Sequence, residues 1–423
     1  MKSHFGWFLV MSFAVLSDRA WADSSRISIP DETVVELGMG YNTVSGELGE
    51  PCVQGSSLII PSDSVHAGLQ KSEFELRKIE DVSELKGGLE LSLSAVFGLG
   101  SYVRDPKFSY FSQNDPSRNS VTLMVRSRVV TKTVGMRGLQ LKGSFSSSMV
   151  HSLESVSAEG KAAFLASCGN QFVQTMSWGG EFLALVKFEA ESEAKKQKIS
   201  GFLATLIAWV KGSADLSRDF SEETRGSKIS IQIIRRGGVG DGPGLEIDKL
   251  IDYAKNFQSV VTPDAGSVPL SAETRSYEMI RGVSKANYFN LSAQESILSQ
   301  YEHADLKART LMSQWVEVQD HPEKYELLES SQLQSSITQL SSILSQIESS
   351  VRGCASDLLD GCVYREPDWP HAVIPVKRSA EPVRWSPPMD GSPSDPLIDV
   401  MGLDEETKAT ELPINSVGGV IGS

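Results

Sequence analysis

The sequence predicts an α+β fold built on four core strands with two insertions between them, followed by a helical hairpin and an extended arm. Three observations carry this. A helix-like segment runs into residues 168–180, and a strand-like run continues from there to about Ala190, with Gly179-Gly180 set inside it. Residues 87–119 and 191–227 lie between strand signals and fit helical and alternating patterns in turn. After Ser284, apolar residues step by four and three, and from Val363 prolines dominate.

The 423 residues leave room for two to three domains at about 150 residues each. The net charge of −14 argues against nucleic acid as a partner, since a phosphate backbone selects a basic face. Lys2 and His4, the apolar run Phe5 to Leu16 and the small-x-small site Ala20-Trp21-Ala22 together read as a secretory leader, residues 1–22. That run is too short to span a membrane as a helix. Secretion permits disulfides. Cys354 and Cys362 lie close in sequence and form the first candidate pair, leaving Cys52 with Cys168.

Residues 27–51 are turn-rich, with Gly38, Gly40, Gly46 and Gly49, and read as an N-terminal loop. Residues 57–61 form a short apolar strand. Residues 73–85 alternate Phe74 and Leu76 against Glu73, Glu75 and Arg77, which predicts a half-buried strand. In the first insertion Leu89, Leu91, Leu93, Ala95, Phe97 and Leu99 hold every second position. Val121, Thr122, Val125, Val129, Val130, Thr131, Thr133 and Val134 make the next strand strongly β-branched. Residues 146–166 predict a helix. Within the long strand that follows, paired glycines weaken the pleat and mark a bend or a close backbone approach.

The second insertion begins with helical spacing at Ile199, Phe202, Leu203, Leu206, Ile207 and Val210. It then alternates, with Asp215, Asp219 and Glu223 on one side and Leu216, Arg218 and Phe220 on the other. Residues 228–236 predict a strand ended by Gly237-Gly238, and residues 245–257 a helix. Ile297, Tyr301, Ala304, Ala308, Leu311, Trp315 and Val318, then Leu333, Ile337, Leu340, Leu344, Ile347 and Val351, predict an antiparallel helical hairpin. Residues 363–423 predict an extended Pro-rich arm and a disordered tail. There Trp369 and Trp385 among Arg365, Lys377, Arg378 and Arg384 could touch a membrane surface.

The six histidines are isolated, and no H-E-x-x-H, G-x-S-x-G or Walker loop occurs. His151 and Cys168 could pair as base and nucleophile, but a Cys opening a strand is far more often a buried thiol or half of a disulfide. The reading is of a non-enzyme without cofactor or metal. Alternation of apolar and polar residues is what a membrane β-hairpin requires, with lipid on one side and an aqueous lumen on the other. It is equally what a soluble sheet shows when one face meets a core and the other water.

The stretch 168–180 resembles the signature of the membrane-attack-complex/perforin (MACPF) family. In that signature an aromatic, Gly-Thr-His, a second aromatic and an aliphatic residue precede five variable positions and Gly-Gly. Gly169, Phe172, Val173, Gly179 and Gly180 match, whereas Cys168, Asn170 and Gln171 depart from it. Leu37-Gly38-Met39-Gly40-Tyr41-Asn42 is similar to the family's N-terminal element, and Gly237-Gly238 to the end of its fourth strand. The resemblance implies, over residues 23–283, a bent four-stranded antiparallel central sheet flanked by two helical clusters. It implies that the clusters refold on membrane-bound oligomers into hairpins lining a β-barrel pore. On that reading Leu89, Leu91, Leu93, Phe97, Leu99, Leu216 and Phe220 face lipid. Glu90, Asp215, Asp219 and Glu223 face the lumen. Arg218 on the apolar side would cost about 2–4 kcal/mol at the bilayer midplane and less near an interface.

The expectation is thus a secreted pore-forming protein, soluble as a monomer, with a target-membrane lipid or receptor and copies of itself as partners. The alternatives are a non-lytic secreted adhesin or membrane-surface binder of the same fold, and an interaction protein working through residues 291–351 within the hairpin region 284–362.

Overall fold

The computed structural model describes residues 24–30, 33–60, 71–114, 119–142, 158–211, 224–281, 283, 291–325, 330–356 and 362–371. The leader and residues 212–223, with Asp215, Leu216, Arg218, Asp219, Phe220 and Glu223, lie outside them. So do the tail beyond His371 and most of the helix expected over 146–166.

The described strands are β1 (Ser24–Ser28), β2 (Met39–Tyr41), β3 (Leu48–Pro51), β4 (Val53–Ile60), β5 (Lys71–Ile79), β6 (Ser120–Leu141), β7 (Gln171–Glu189), β8 (Lys228–Arg236) and β9 (Val268–Ser276). The helices are α1 (Val82–Leu89), α2 (Leu93–Val96), α3 (Pro106–Gln113), α4 (Ala158–Cys168), α5 (Glu193–Lys211), α6 (Ile247–Asn256), α7 (Ser292–Asp320) and α8 (Ser330–Ser356).

β6 and β7 are the spine, 22 and 19 residues long and paired antiparallel from Ser120↔Glu189 to Gly135↔Thr175. β-branched residues pack well on a pleated surface, which accounts for the length of β6. The outer positions are each filled by two strands in succession. On the free side of β6, β5 pairs from Ile79↔Thr122 to Lys71↔Val130, and β4 takes over from Ile60↔Thr133. On the free side of β7, β8 pairs from Glu189↔Lys228 to Glu181↔Arg236, and β9 takes over at Gly179↔Val268. Both exchanges occur at the level of Gly179-Gly180, where the β6–β7 register also shifts between Val130 and Lys132.

The expected four-stranded sheet is therefore corrected to nine strands among the described residues, four positions wide at the lower end. β1 adds to β9, and β2 with β3 adds at the start of β7. The extra strands were hidden for physical reasons. β2 and β3 are three and four residues long, shorter than any period can register. β9 (VPLSAETRS) lies in residues read as neither strand nor helix; it carries few β-branched residues and is held by neighbours on both sides. The strand expected over 73–85 ends at Ile79. Asp81 then caps α1, its Oδ1 accepting the Glu84 N–H at 2.7 Å.

Side-chain parity assigns the layers. Leu123, Val125, Phe182, Ala184, Val186 and Phe188 share a core with Ile199, Leu203 and Leu206 of α5 and Leu250, Ile251 and Ala254 of α6. Their neighbours of opposite parity, Met124, Leu183, Leu185 and Ile234, share another with Val82, Leu85, Leu89, Leu91, Tyr110 and Phe111. Successive strand residues point to opposite faces. The first insertion therefore covers one face of the lower sheet, and the second, with α6, the other. Helices on both faces leave Ser120–Val129 buried throughout, so its apolar residues, such as Leu123 and Met124, fall on both faces rather than alternating.

α7 and α8 pack together, and Tyr301 near the start of α7 lines one cleft with Gly353 and Cys354 near the end of α8. The pair is antiparallel. Cys354 is bonded to Cys362, and residues 362–371 run back without regular structure along the hairpin. Tyr301 donates to the Val363 carbonyl at 3.1 Å, Gln339 donates to the Asp368 carbonyl at 2.7 Å, and Lys307 Nζ lies 3.8 Å from the Trp369 ring centroid. Trp369 is thus engaged with the hairpin.

Candidate functional site

The two stretches that carry the family resemblance meet in space. Gly40 pairs with Phe172, Tyr41 bridges to Gly169, and the Gly38 N–H donates to the Val173 carbonyl at 2.8 Å. Gly169 has φ +65°, and a Cβ there would occupy the Tyr41 carbonyl; a Cβ on Gly40 would fall on the Cys168 backbone. Glycine is required at both because backbone approaches backbone. Phe172 and Val173 are fully buried on opposite sides of β7, Phe172 beside Tyr277 with ring centroids 5.4 Å apart. The Tyr277 hydroxyl donates to the Cys168 carbonyl at 2.7 Å, and burial pushes its phenol well above the usual range. Cys52 and Cys168 are joined, with Cα atoms 5.9 Å apart.

The departures from the family pattern have local partners. Asn170 Oδ1 accepts the Thr43 N–H at 3.0 Å, and Gln171 Oε1 accepts from the Thr274 hydroxyl. His151 lies outside the described residues, and Cys168 is committed to its disulfide. Among the described residues no group of three or more His, Cys, Asp or Glu side chains could hold a metal ion.

Gly179 and Gly180 answer two different crowdings. A Cβ on Gly179 would occupy the Val129 carbonyl across the ladder, and one on Gly180 would press on Val261 and Phe257, which follow α6. Gly237 (φ +68°) and Gly238 (φ +79°) turn the chain out of β8, and the Gly238 N–H donates to the Gly266 carbonyl at 2.7 Å.

Immediately below the glycine pair, on the face covered by the first insertion, lies a buried charge cluster. Glu181 Oε2 is 2.8 Å from Lys107 Nζ of α3, and Glu181 Oε1 is 2.8 Å from Arg126 Nη2 of β6. Arg126 Nη2 also reaches Glu90 Oε2 at 2.6 Å, and Arg128 reaches the same oxygen at 3.4 Å. Glu181, Lys107 and Arg126 have side chains 5–7% exposed. Burial raises the Glu181 carboxyl, but Lys107 and Arg126 outweigh it and hold it well below the usual carboxylate range. Burial likewise opposes charge on Arg126, and Glu90 and Glu181 raise its guanidinium above the ordinary value.

Sequence reading missed this cluster apart from Glu90. Two signals stood in the open: Arg126 and Arg128 at alternate positions between the apolar runs Leu123–Val125 and Val129–Val130, and Glu181 opening the apolar run after Gly180. Buried charges persist only when paired, so each predicts a partner. Glu90 itself adopts φ +55° at the end of α1, a left-handed conformation that costs a non-glycine residue about 1 kcal/mol or more.

The membrane-facing candidates of the first insertion divide between two neighbours. Leu89 and Leu91 are buried with Met124, Leu183 and Leu185 of the sheet. Phe97 and Leu99, with Leu93 half-buried beside them, pack in the core shared with Leu298, Tyr301, Ala304 and Ala308 of α7. Residues that would line one side of an extended strand thus serve two sides of a helical layer. Among the described residues no helix is long and apolar enough to cross a membrane.

No family model matches the sequence, and no curated protein matches it. Solved structures do show likeness at low identity. Stonustoxin is 10% identical with a TM-score of 0.37, over 79% of this chain and 46% of that one. GNIP1Aa from Chromobacterium piscinae is 13% identical with a TM-score of 0.38, over 67% of this chain and 57% of that one. The chain spans about half the length of these two. Astrotactin-2, a vertebrate-specific, perforin-like membrane protein, is 12% identical with a TM-score of 0.32, over 59% of this chain and 93% of that one. The solved structures this chain is similar to thus include one described as perforin-like.

Proposed function

We propose that the chain is a secreted pore-forming protein whose two insertions leave the sheet faces and extend the central strands as amphipathic β-hairpins in a membrane-bound ring of copies. The observation that carries this reading is where the insertions leave the sheet. β5, β6, β7 and β8 end at one level, marked by Ile79↔Thr122, Ser120↔Glu189 and Glu189↔Lys228. The first insertion joins β5 to β6 and the second joins β7 to β8, so each connects neighbouring antiparallel strands at that same end. Either can lengthen its two strands without changing their pairing. Each is about 40 residues, ample for two strands of the roughly 9–11 residues that cross a bilayer. The row from Leu89 to Leu99 already has the two-residue period such a strand needs, although it is folded as short helices here.

The test is release of an encapsulated dye from lipid vesicles, with electron microscopy of the same vesicles. Dye release with ring-shaped particles is the expected result. Membrane binding without release or rings would instead support the non-lytic surface binder of the same fold. A cross-link from each insertion to the sheet should abolish release, and release that persists with both locked would overturn the refolding mechanism.

A further inference from the structure

We propose that the C-terminal hairpin is a catch on the first insertion alone, so that the second insertion leaves the sheet before the first. This role rests on the refolding inferred above. The first insertion is enclosed on two sides. Its inner side meets the sheet through Leu89, Leu91 and Phe111, and through Lys107 and Glu90 in the charge cluster. Its outer side meets α7. There Lys86 of α1 is ion-paired with the buried Glu302, Leu306 packs on the insertion's core, and Arg309 lies 5.4 Å from the Phe111 ring centroid. Phe97 and Leu99 are buried in the hairpin's own core.

The outer stripe of α5 in the second insertion is exposed instead. Ile199, Leu203, Leu206 and Val210 bury one stripe against the sheet, while Gly201, Ala204, Thr205 and Ala208 are exposed. Its polar ties to the rest of the lower sheet include one through Ser200, which accepts from Lys78 at 2.7 Å and donates to Glu80 at 2.9 Å. An element that makes fewer buried contacts opens at lower free energy. Among the described residues α5 therefore has one interface to break, whereas α1–α3 must lose two. The hairpin is itself tethered, by the Cys354–Cys362 bond and by the arm that folds back over Lys307 and Gln339. Displacing α7 is then a separate step, and it gates the first insertion.

Amide hydrogen exchange on the full chain tests this. In the variant Glu302→Gln/Leu306→Ala/Arg309→Ala, exchange across 82–113 should accelerate roughly tenfold to a hundredfold, with 193–211 unchanged. No acceleration across 82–113, or equal acceleration in both segments, would overturn the catch, and neither result depends on lysis. Because the triple substitution could unfold the hairpin, a second form keeps all native contacts but one. Lys86→Cys/Glu302→Cys is joined by a non-cleavable bismaleimide; the native cysteines are all in disulfides, so the two introduced thiols react alone. On vesicles this locked form should lose protection over 193–211, keep it over 82–113 and release no dye. Protection kept in both segments would reverse the proposed order. If the unmodified chain neither leaks dye nor changes protection on vesicles, the pore reading fails, and the solution exchange still decides whether the hairpin holds the first insertion.

Discussion

The charge cluster beneath the glycine pair makes a quantitative test of how the first insertion is held. Replacing Glu181 by Gln leaves Arg126 with Glu90, whose side chain is half exposed, but takes from Lys107 its close ion partner inside a site where that lysine is 5% exposed. Removing one member of a buried pair costs about 3–5 kcal/mol because the other charge stays buried uncompensated. Lys107 still feels more distant carboxylates, which puts Glu181→Gln near the lower end. Lys107→Met is a milder change, since Glu181 keeps Arg126 at 2.8 Å; its cost is that of a charged hydrogen bond, about 1.5–3 kcal/mol. The two must be non-additive. Added to Glu181→Gln, Lys107→Met removes a stranded charge and should restore about 1 kcal/mol or more. Denaturant unfolding at pH 7 with the disulfides intact gives the values for both single variants and the double variant. A cost below about 1 kcal/mol for Glu181→Gln, or a Lys107→Met cost that is no smaller once Glu181→Gln is present, would falsify the view that the charge cluster holds the first insertion.

One further outcome follows from the same cluster, a second from the glycine pair and a third from the disulfide. Because the folded Glu181 carboxyl is held below its ordinary value, its stabilisation is full above about pH 4.3 and is lost as pH falls below that. The stability difference between the native chain and Glu181→Gln should therefore narrow below pH ~4, and an unchanged difference at pH 3 would contradict the pairing. Gly179→Ala and Gly180→Val should each cost about 1–3 kcal/mol by crowding Val129 and Val261 respectively, read as a lowered unfolding midpoint; a neutral Gly180→Val would mean that the segment after α6 does not press on the strand. Cys52→Ser/Cys168→Ser opens a link between residues 116 apart in sequence, so it should destabilise by about 2–5 kcal/mol while leaving far-ultraviolet circular dichroism near native.

How much of this was legible in the chain depended on how local each cause is. β7 and β8 declared themselves through runs of β-branched and aromatic residues, and Gly179-Gly180 through the oddity of two glycines inside such a run. β9 did not, because its strand state is imposed by β1 and β7 on either side rather than by its own residues. The first insertion is the instructive failure of periodicity. Leu89 to Leu99 alternate as a strand would, yet the segment is helical, because Asp81, Ser92 and Asp105 each cap a short helix through backbone N–H groups. Caps act over three residues and alternation over ten, so one sequence can hold both instructions. Which is obeyed is decided by what lies outside the segment: in the folded chain the sheet takes Leu89 and Leu91 while α7 and α8 take Phe97 and Leu99. A strand would put all four on one side, and no single partner in this fold offers a surface for them together. On the pore-forming reading proposed above a lipid surface would, and the alternating state would then belong to a chain whose hairpin has moved.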